Sequence, residues 1–493
     1  MDLKMNIQNV KCVKNLTFSF PLIAGIYAIT GENGVGKSTL ISCASSVFYQ
    51  MPMTEYFGRP QNAVIDFSLG DSTRKWFFNG KKWVAESSSV KMKLNGFYEG
   101  SVIFGNRFKD TKLSLINVLD SLKLEDLYKA SDFIRNNLGL ILRNDKNYYE
   151  NLFVVKKDVA KNLGLSRITF CNMIKEGELI SQPRMSTGEN LMLSILSSLE
   201  IVHNKRINSG GRPYIIFLDE IELALHSSAL RRLVLFLKDT ASDDGLSIFF
   251  STHSIELLRE IKAQNIYYLS SLYNDSIMVT NPCYPAYATR NLYGDDGYGN
   301  DIVVLVEDDL SKLVIEKILV LKKLAQNIRI KILPTGGWTN TISMAHDITT
   351  SNLIQKGTSL AIILDRDIKS QVATFLKNHK QFSNLKMDFL PISSLEKYLC
   401  DNLFFQTNEK LFSILDTFLF QKKPLKEVLS LYGKDLQKED TNRKSFFGLL
   451  LNEVRSMRKD RDDIVDLVVS FIIENETNSL NEIENYLKQK ISE

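Results

Sequence analysis

Apolar residues along the chain fall into short continuous runs that are separated by amphipathic stretches. Each run is long enough for one strand and too short for a helix that is buried on all sides. Runs of this kind, without polar alternation, are typical of parallel strands that are covered on both faces. They are GIYAIT (25–30), YIIFL (214–218), the apolar start of IFFSTHS (248–254), DIVVLV (301–306) and SLAIIL (359–364), and a further strand is predicted for IRIKIL (328–333). Helical spacing follows several of them, so the pattern predicts an α/β fold.

The order of these runs divides the chain into two α/β regions. A chain of 493 residues is too long for a single hydrophobic core. Residues 276–300 are rich in proline, glycine, asparagine and aspartate, which interrupt both helices and strands. We therefore expect a first domain over residues 1–275, a connection over 276–300, a second domain over 301–403, and a mostly helical segment over 404–493.

The composition is that of a soluble globular protein, with 44% hydrophobic and 24% charged residues. The chain has no apolar run long enough to span a bilayer, and its polar N-terminus does not resemble a secretory signal. Its five cysteines are widely spaced and form no CxxC pair, which predicts reduced thiols in the cytoplasm and argues against a zinc site. The net charge of +4 permits nucleic-acid binding without predicting it.

The stretch GENGVGKST (31–39) lies between a predicted strand and a helical segment, which is the context of a phosphate-binding loop. Its glycines allow backbone conformations in which amides point at phosphate oxygens, and the start of the helix adds its positive dipole end. A lysine and a serine follow, which would bind the phosphates and Mg²⁺. The predicted nucleotide-binding residues are Asn33, Gly34, Gly36, Lys37, Ser38 and Thr39. The expected cofactors are ATP and Mg²⁺ (or Mn²⁺).

A carboxylate for this metal is predicted in YIIFLDEIE (214–222), where two acids follow a buried strand. Asp219 would hold Mg²⁺ through water, and Glu220 would polarise the attacking water. Taken alone, the segment is equally consistent with a strand that ends in two solvated acids. The motifs elsewhere in this half of the chain decide between the two interpretations.

Two further motifs resemble those of ABC-type ATPases. MSTGENLML (185–193) resembles the ABC signature, with Ser186, Gly188 and Glu189 at the matching positions, and His253 matches the switch histidine. The order of phosphate loop, signature, acidic strand and histidine strand is also that of the superfamily. The resemblance implies that the signature of one chain completes the ATP site of another. We therefore expect a homodimer through the heads, and a higher oligomer is left open.

Residues from about 47 to 184 are predicted to form a partly helical insertion in this head. Pieces such as LSLINVLDSLKLEDLYKASDFIRNNLGLIL read as short amphipathic helices, and the insertion is too short for the long coiled coil of chromosome-organising ATPases. VAKNLGLSRITFCNMIKEG (159–177) faintly resembles a DNA-reading helix-turn-helix. Because it runs directly into the signature, we expect it to pack on the head instead. A further strand is expected within FYEGSVIFGNRFKD (97–110).

In the second region, Glu307, Asp365 and Asp367 follow predicted strands directly. Ligands of parallel sheets bind at the carboxyl ends of strands, so these acids are expected to converge. Like charges about 4 Å apart repel by about 4 kcal/mol at an effective dielectric constant near 20, which a cation would relieve. Oxygen ligands suit Mg²⁺ or Mn²⁺, and such metal sites catalyse phosphodiester chemistry.

This pattern resembles the Toprim domain of the OLD (overcoming lysogenisation defect) nuclease family, which joins an ABC head to a C-terminal Toprim. The matching features are Glu307, the glycine turn at 336–337, the Asp365-x-Asp367 pair, and Glu396 in SSLEKYL. The resemblance implies that these four acids bind the metal and take part in catalysis, and that Lys444 steadies the transferring phosphate. It also implies a DNA endonuclease. Family members commonly serve in anti-phage defence beside a partner protein, or beside a retron reverse transcriptase and its RNA–DNA product.

The sequence departs from the family at two positions, Asp308 and Ser311, where the family has glycine and a further acid. The loss of that acid favours a second hypothesis, in which the chain is a regulatory ATPase and assembly platform that binds nucleic acid without cutting it. A topoisomerase is disfavoured because no large gate domain with a candidate tyrosine is evident. A primase is disfavoured because the cysteines cannot form its usual zinc motif.

Overall fold

The structure is a computed structural model of the chain. It describes residues 1–48, 57–86, 92–100, 113–165, 168–175, 178–206, 213–272, 275–290, 299–355, 357–433, 437–438, 440–475 and 477–492. The chain divides into two compact units, Met1–Asp295 and Asp296–Glu493. No helix among the described residues is both long and apolar enough to cross a membrane.

The N-terminal unit contains three sheets and the helices around them. Its strands are β1 Asp2–Val10, β2 Val13–Pro21, β3 Gly25–Gly31, β4 Val64–Leu69, β5 Ser72–Phe78, β6 Trp83–Ala85, β7 Asn95–Glu99, β8 Leu127–Lys129, β9 Leu152–Val155, β10 Phe170–Lys175, β11 Glu178–Ser181, β12 Tyr214–Leu218, β13 Leu246–Ser251, β14 Ile266–Ser271 and β15 Ile277–Thr280. Its α-helices are α1 Lys37–Ser45, α2 Leu113–Asp120, α3 Asp132–Arg143, α4 Lys157–Asn162, α5 Thr187–Arg206, α6 Ser227–Asp244, α7 Ile255–Leu258 and α8 Pro285–Ala288.

The central sheet of this unit has the strand order β15-β14-β3-β13-β12-β7 and is parallel except for β15. The apolar runs predicted as strands form β3, β12 and β13. Successive side chains of these strands enter two different cores: Ile216 packs on one face of the sheet and Phe217 on the other. Burial of both faces explains why the runs show no polar alternation.

The predicted insertion contains more β-strands than the sequence suggested. Within residues 47–184, β4 to β6 continue an antiparallel sheet of order β2-β1-β4-β5-β6, and β7 is the edge strand of the central sheet. The strand VIDFSL (64–69) alternates between buried and half-buried positions, which is the period of a sheet with one covered face. These strands therefore belong to the body of the head, which corrects the boundary at residue 47.

Helices do occur in the rest of the insertion, around a third sheet of order β11-β10-β9-β8. Among the described residues of the segment 159–177, the first belong to α4 and Phe170–Lys175 form β10, so a strand stands where a helix-turn-helix would need its second helix. A small core that includes Leu119, Leu127 and Cys171 holds this lobe together. We call residues 113–181 the lobe.

The head also extends past residue 275. β15 pairs with β14, and Cys283 and Ala288 are buried in the core of the N-terminal unit. The prolines and asparagine of this segment predicted a connection, but its small apolar side chains are packed. The remainder of the predicted connection, 291–298, lies outside the described residues, as does 101–110 of the strand expected within 97–110.

The C-terminal unit is built on one parallel sheet of order β17-β16-β18-β19. Its strands are β16 Ile302–Val306, β17 Ile330–Pro334, β18 Ser359–Leu364 and β19 Asp388–Phe389. Its α-helices are α9 Asp309–Leu321, α10 Trp338–Thr350, α11 Lys369–Asn378, α12 Leu395–Cys400, α13 Glu409–Leu419, α14 Leu425–Ser430, α15 Lys444–Ser456, α16 Arg461–Asn475 and α17 Thr477–Ser492. The three strands predicted for this region are thus confirmed.

The helical end of the chain packs on this sheet. The last helix, α17, lies against β18, where the Tyr486 hydroxyl accepts a 3.0 Å hydrogen bond from the amide of Ile362 and donates to the carbonyl of Lys386. Helix α16 packs along α9. The carboxyl ends of β16, β17 and β18 remain together at one edge of the sheet, which is the edge where the acids follow.

Candidate functional site

The phosphate loop connects β3 to α1 and depends on glycine at two positions in particular. Gly36, which precedes the first turn of α1, has φ of 105°. A Cβ atom there would lie 2.8 Å from Cγ2 of Val13. Gly31 has φ of 146°, and its Cβ would lie 2.3 Å from the carbonyl oxygen of Leu269. Side chains at these positions would be both strained and crowded, so the loop requires glycine.

The lysine of the loop is buried and directed back at it. Lys37 Nζ donates to the carbonyl oxygens of Gly31 at 3.2 Å and Glu32 at 2.9 Å. Burial lowers the pKa of Lys37 to about 8, although the charges of nearby Glu220, Asp219 and Glu222 oppose this shift. The ammonium group therefore lies between the loop and the acids that follow β12. Of the other predicted loop residues, Asn33 and Gly34 are exposed, and Thr39 is buried.

The acid predicted to hold Mg²⁺ lies beside the loop serine. Asp219 is buried, and its Oδ1 accepts a 2.6 Å hydrogen bond from Ser251 Oγ. Burial raises its pKa, while hydrogen bonds from Ser251 and Ser38 lower it. Oxygens of Ser38 and Asp219 therefore meet at the start of α1. Hard oxygen ligands of this kind fit Mg²⁺, so these two residues would hold it.

The turn after Asp219 is hydrogen-bonded to the end of β13 and to the loop that follows it, which contains His253 and is called the histidine loop. Glu220 has its backbone in the left-handed region, with φ of 51°, and its amide donates to Ser251 Oγ at 2.8 Å. Glu222, which the sequence analysis did not assign to the site, accepts hydrogen bonds at Oε1 from the amide of His253 at 2.7 Å and from Thr252 Oγ1 at 3.0 Å. Burial and the nearby charge of Lys37 lower the pKa of His253 to about 4, so its ring is neutral at physiological pH.

The signature serine is held by a reciprocal cap at the start of α5. The amide and hydroxyl of Ser186 donate to Glu189 Oε2 at 2.8 and 2.7 Å, and the amide of Glu189 donates back to Ser186 Oγ at 3.3 Å. Tyr149 of the lobe donates to Glu189 Oε1 at 2.6 Å. One carboxyl oxygen of Glu189 thus positions Ser186, which is exposed, while the other is held by Tyr149. A contact of this motif with ATP of a second subunit remains a prediction.

In the C-terminal unit, two of the predicted acids are joined at the ends of neighbouring strands. The amide of Asp365, after β18, donates a 2.8 Å hydrogen bond to Glu307 Oε1, after β16. The carbonyl oxygen of Glu307 accepts from the amides of Gly336 and Gly337, which follow β17. Burial, followed by the charges of Glu307 and Asp308, raises the pKa of Asp365 to about 8. The carboxyl groups therefore lie close enough to repel one another.

Three further polar residues of this edge, Asp308, Ser311 and Asp367, are each held by a neighbour. Ser311 Oγ lies 2.9 Å from Asp308 Oδ1 and 3.0 Å from Asp365 Oδ1. Asp308 also caps α9 by accepting from the amide of Ser311. Asp367 pairs with Lys397, whose Nζ lies 2.5 Å from Oδ2. Asp308, which stands where the resembling family has glycine, is therefore used as a helix cap.

Glu396 and Lys444 lie near enough to interact electrostatically, although they are distant in sequence. Burial raises the pKa of Glu396, the charge of Asp308 adds to this, and the nearby ammonium group of Lys444 opposes it. Lys444 is the first residue of α15, which packs against α12. The start of α15 is fixed by Asp440, whose Oδ1 accepts from the amide of Ser445 at 3.1 Å and whose Oδ2 accepts from the amide of Phe446 at 2.9 Å.

The carboxylate oxygens at this edge of the sheet are suitable ligands for a divalent cation, and a cation would relieve the repulsion between them. Among the residues that the structure describes, no three or more histidine, cysteine, aspartate or glutamate side chains converge as a ready metal site. The acids are instead held by Ser311, Lys397 and backbone amides. Glu307, Asp365, Asp367 and Glu396 would hold the metal after their side chains turn toward it. We call these four residues the acidic cluster.

Two family models match parts of the N-terminal unit. Residues 118–259 match the family described as "AAA domain, putative AbiEii toxin, Type IV TA system", and residues 4–73 match the family described as "AAA domain". The second match contains the phosphate loop, and the first contains the signature, the acidic strand and the histidine loop. Neither match extends into the C-terminal unit.

The search of curated proteins gave no match. Among solved structures, the SMC head domain from Thermotoga maritima is 13% identical, over 57% of this chain and 99% of that chain, with a TM-score of 0.30. An SmcHead bound to the C-winged helix domain of ScpA is 13% identical, over 56% and 96% of the two chains, with a TM-score of 0.35. An Smc head domain bound to the C-terminal domain of ScpA, derived from Pyrococcus furiosus, is 9% identical, over 57% and 96%, with a TM-score of 0.36. At these TM-scores the similarities add no independent support for the fold.

The family matches and the geometry of the loop lead to the same conclusion about the first unit. Its phosphate loop, buried lysine and neighbouring Ser38 and Asp219 have the arrangement expected of an ATP site, and they lie within the matched residues. The N-terminal unit is an ATPase domain of the AAA type.

Proposed function

We propose that the chain is an ATP-hydrolysing, metal-dependent DNA endonuclease in which the AAA-type head controls a Toprim-like nuclease unit. The observation that carries the proposal is the grouping of the acidic cluster at the carboxyl edge of a parallel sheet. The hydrogen bond from Asp365 to Glu307 supports this grouping, and Glu396 lies near enough to feel the charge of Asp308, the neighbour of Glu307. The charges of Glu307, Asp308 and Asp367 all act on Asp365, and a bound cation would relieve their repulsion.

In the head, Lys37 and the loop amides would bind the phosphates of ATP, while Ser38 and Asp219 would hold Mg²⁺. Glu220 would polarise the attacking water, and His253 would contact the γ-phosphate. The exposed Ser186 would complete the site of a second chain, so that ATP closes a homodimer. Occupancy of this site would then control access of DNA to the nuclease unit.

In the nuclease unit, the acidic cluster would bind Mg²⁺ or Mn²⁺ through oxygen ligands. A bound divalent cation stabilises the negative charge that develops on a transferring phosphate. Lys444, beside Glu396, would place a further positive charge near that phosphate, and Asp440 would fix the start of the helix that carries it. Lys397 would balance the charge of Asp367 while no cation is bound.

The biological setting rests on the resemblance to the OLD family. We propose an effector of anti-phage defence that acts in the cytoplasm with a partner, such as a retron reverse transcriptase and its RNA–DNA. The description of one matching family names a toxin of a type IV TA system, which supports an effector role. In this proposal the partner supplies the trigger.

The second candidate is a regulatory ATPase and assembly platform whose C-terminal unit binds nucleic acid without cleaving it. Two observations favour it. Ser311 stands where the resembling family has an acid, and Asp367 is already neutralised by Lys397. A unit that had lost its nuclease activity could retain such an arrangement for its stability.

Nicking of supercoiled plasmid separates the two candidates. The full chain is incubated with plasmid and Mg²⁺ or Mn²⁺, with and without ATP, and compared with Asp365→Asn. Asp347→Asn is the matched control, because Asp347 is an exposed acid of the same unit. The endonuclease predicts nicking by the wild type and by the control but not by Asp365→Asn. Equal nicking by all three proteins would reveal a contaminant, and DNA binding without nicking would favour the platform.

A further inference from the structure

The acidic strand and the histidine strand of the head are joined by a series of hydrogen bonds that the family motifs do not explain. Ser251 donates to Asp219 and accepts from the amide of Glu220. The next two residues, Thr252 and His253, both donate to one oxygen of Glu222. The loop after β13 is therefore attached, residue by residue, to the turn after β12. Glu222 supplies the last of these attachments.

The other oxygen of Glu222 takes no part in this series of hydrogen bonds. Glu222 Oε2 is buried and has no hydrogen-bond partner among the described residues, and the same holds for His253 Nδ1. An ionisable oxygen buried without a partner is costly and is rarely retained for stability alone. Both atoms belong to a region where the charge of Lys37 acts on the His253 ring, so they lie near the group that binds phosphate.

We propose that Glu222 is a positioning residue of the ATPase site, which fixes the His253 loop against the acidic strand so that the ring is presented to the nucleotide. The amide of His253 is held directly at 2.7 Å. The loop is held again through Thr252, whose hydroxyl oxygen accepts from the amide of Ser254 at 3.0 Å. Ser254 in turn caps α7 by accepting from the amide of Leu257. One carboxyl oxygen thus organises the whole segment from His253 to the start of α7.

The proposal goes beyond the ATPase assignment, because Glu222 belongs to neither the phosphate loop nor the metal ligands. It predicts that the residue acts through its acceptor oxygen and not through its charge. Glu222→Gln retains a carbonyl oxygen that can accept both hydrogen bonds, whereas Glu222→Ala retains neither. The pair of variants therefore separates positioning from proton transfer.

The test compares ATP turnover, binding of a fluorescent ATP analogue, and amide hydrogen exchange in the full-length variants. In Glu222→Ala we expect kcat to fall at least about tenfold, since a small misplacement of a reacting group has effects of that order or larger. The affinity for the analogue should change by less than about threefold, because the phosphate loop is untouched. Glu222→Gln should restore kcat to within about threefold of the wild type.

Glu256→Ala is the matched control, because Glu256 is exposed and accepts a hydrogen bond from Ser254 in the same loop. It should behave as the wild type. Without nucleotide, exchange at residues 252–258 should be faster in Glu222→Ala only. Unchanged exchange and turnover in Glu222→Ala would overturn the proposal, as would a Glu222→Gln variant as inactive as Glu222→Ala. Failure of the wild type to bind the analogue would instead overturn the ATP site, and the exchange measurement would still decide the role of Glu222.

Discussion

The amide of Asp365 donates a 2.8 Å hydrogen bond to Glu307 Oε1 and so joins the ends of two neighbouring parallel strands. The two residues are 58 positions apart in the sequence. The bond fixes one carboxyl oxygen of Glu307 and leaves the carboxyl group of Asp365 directed at Ser311. The partner of each acid therefore decides which of its carboxyl oxygens is available to a cation. Each of these pairings can be tested separately.

The ion pair between Lys397 and Asp367 should compete with a bound cation. Both side chains are partly exposed, at 31% and 24%. Replacing Lys397 with methionine frees Asp367 and removes a positive charge, so Mn²⁺ should bind about two- to fivefold more tightly, equivalent to the up to about 1 kcal/mol that such a pair contributes. Calorimetric titration of nucleotide-free protein with Mn²⁺ measures this. Lys488→Met removes a lysine paired with Glu484 elsewhere in the unit and should leave the affinity unchanged. Weaker binding in Lys397→Met would contradict the account.

A side chain at position 188 should push the signature motif (185–193) away from the turn that follows β12. A Cβ at this position would lie 2.8 Å from the carbonyl oxygen of Ala224, which ends the turn that contains Glu222. Gly188→Ala should therefore reduce ATP turnover by at least about fivefold while leaving ATP affinity within about threefold. Thr187→Ala, at the exposed neighbouring position, provides the control. Normal turnover in Gly188→Ala would show that this contact is unimportant.

Asp440 should stabilise the C-terminal unit in a pH-dependent manner. Burial alone would raise the pKa of Asp440, but hydrogen bonds from the amides of Phe446 and Ser445 and from the Tyr432 hydroxyl outweigh it and hold the pKa below 3.8. Asp440→Asn replaces one acceptor oxygen by an amide group that can only donate. We expect it to lower the free energy of unfolding by about 1–3 kcal/mol at pH 7.

Because the folded pKa of Asp440 is depressed, its contribution is complete above the unfolded pKa and is lost as pH falls through the folded value. The difference in the free energy of unfolding between the wild type and Asp440→Asn should thus be constant from pH 7 to pH 5 and shrink below pH 3.8. Urea unfolding followed at several pH values measures it, with Asp347→Asn as an exposed control. A difference that persists unchanged at low pH would mean that the charge of Asp440 is not responsible.

The sequence predicted best those elements whose signal is local. The runs YIIFL and SLAIIL form strands with the predicted bounds, because side chains buried on both faces must all be apolar. The phosphate loop was equally clear, since positive φ values leave glycine as the only unstrained residue at several positions. The strands of the insertion were harder to detect, because the alternation of β4 covers only six residues and β6 has only three.

The parts that could not be predicted depend on contacts between distant segments. Nothing in the local sequence places Lys397 beside Asp367 or Asp440 under the start of α15. Glu222 is visible in the sequence as the last acid of DEIE (219–222). Its role becomes evident only in the structure, where the turn after β12 contacts the loop after β13. Lys444 was assigned through a resemblance alone, and the packing of α15 against α12 brings it near Glu396.

The most direct measurement of the central claim is an anomalous difference map from crystals of the full chain soaked in Mn²⁺. The account predicts a peak within coordination distance of Asp365 and Glu307, with the carboxyl group of Asp365 turned away from Ser311 toward the ion. It also predicts that the peak is absent from crystals of Asp365→Asn. A saturated soak with no peak at the acidic cluster, and with Asp365 still bound to Ser311, would contradict the proposal that this edge holds a catalytic metal.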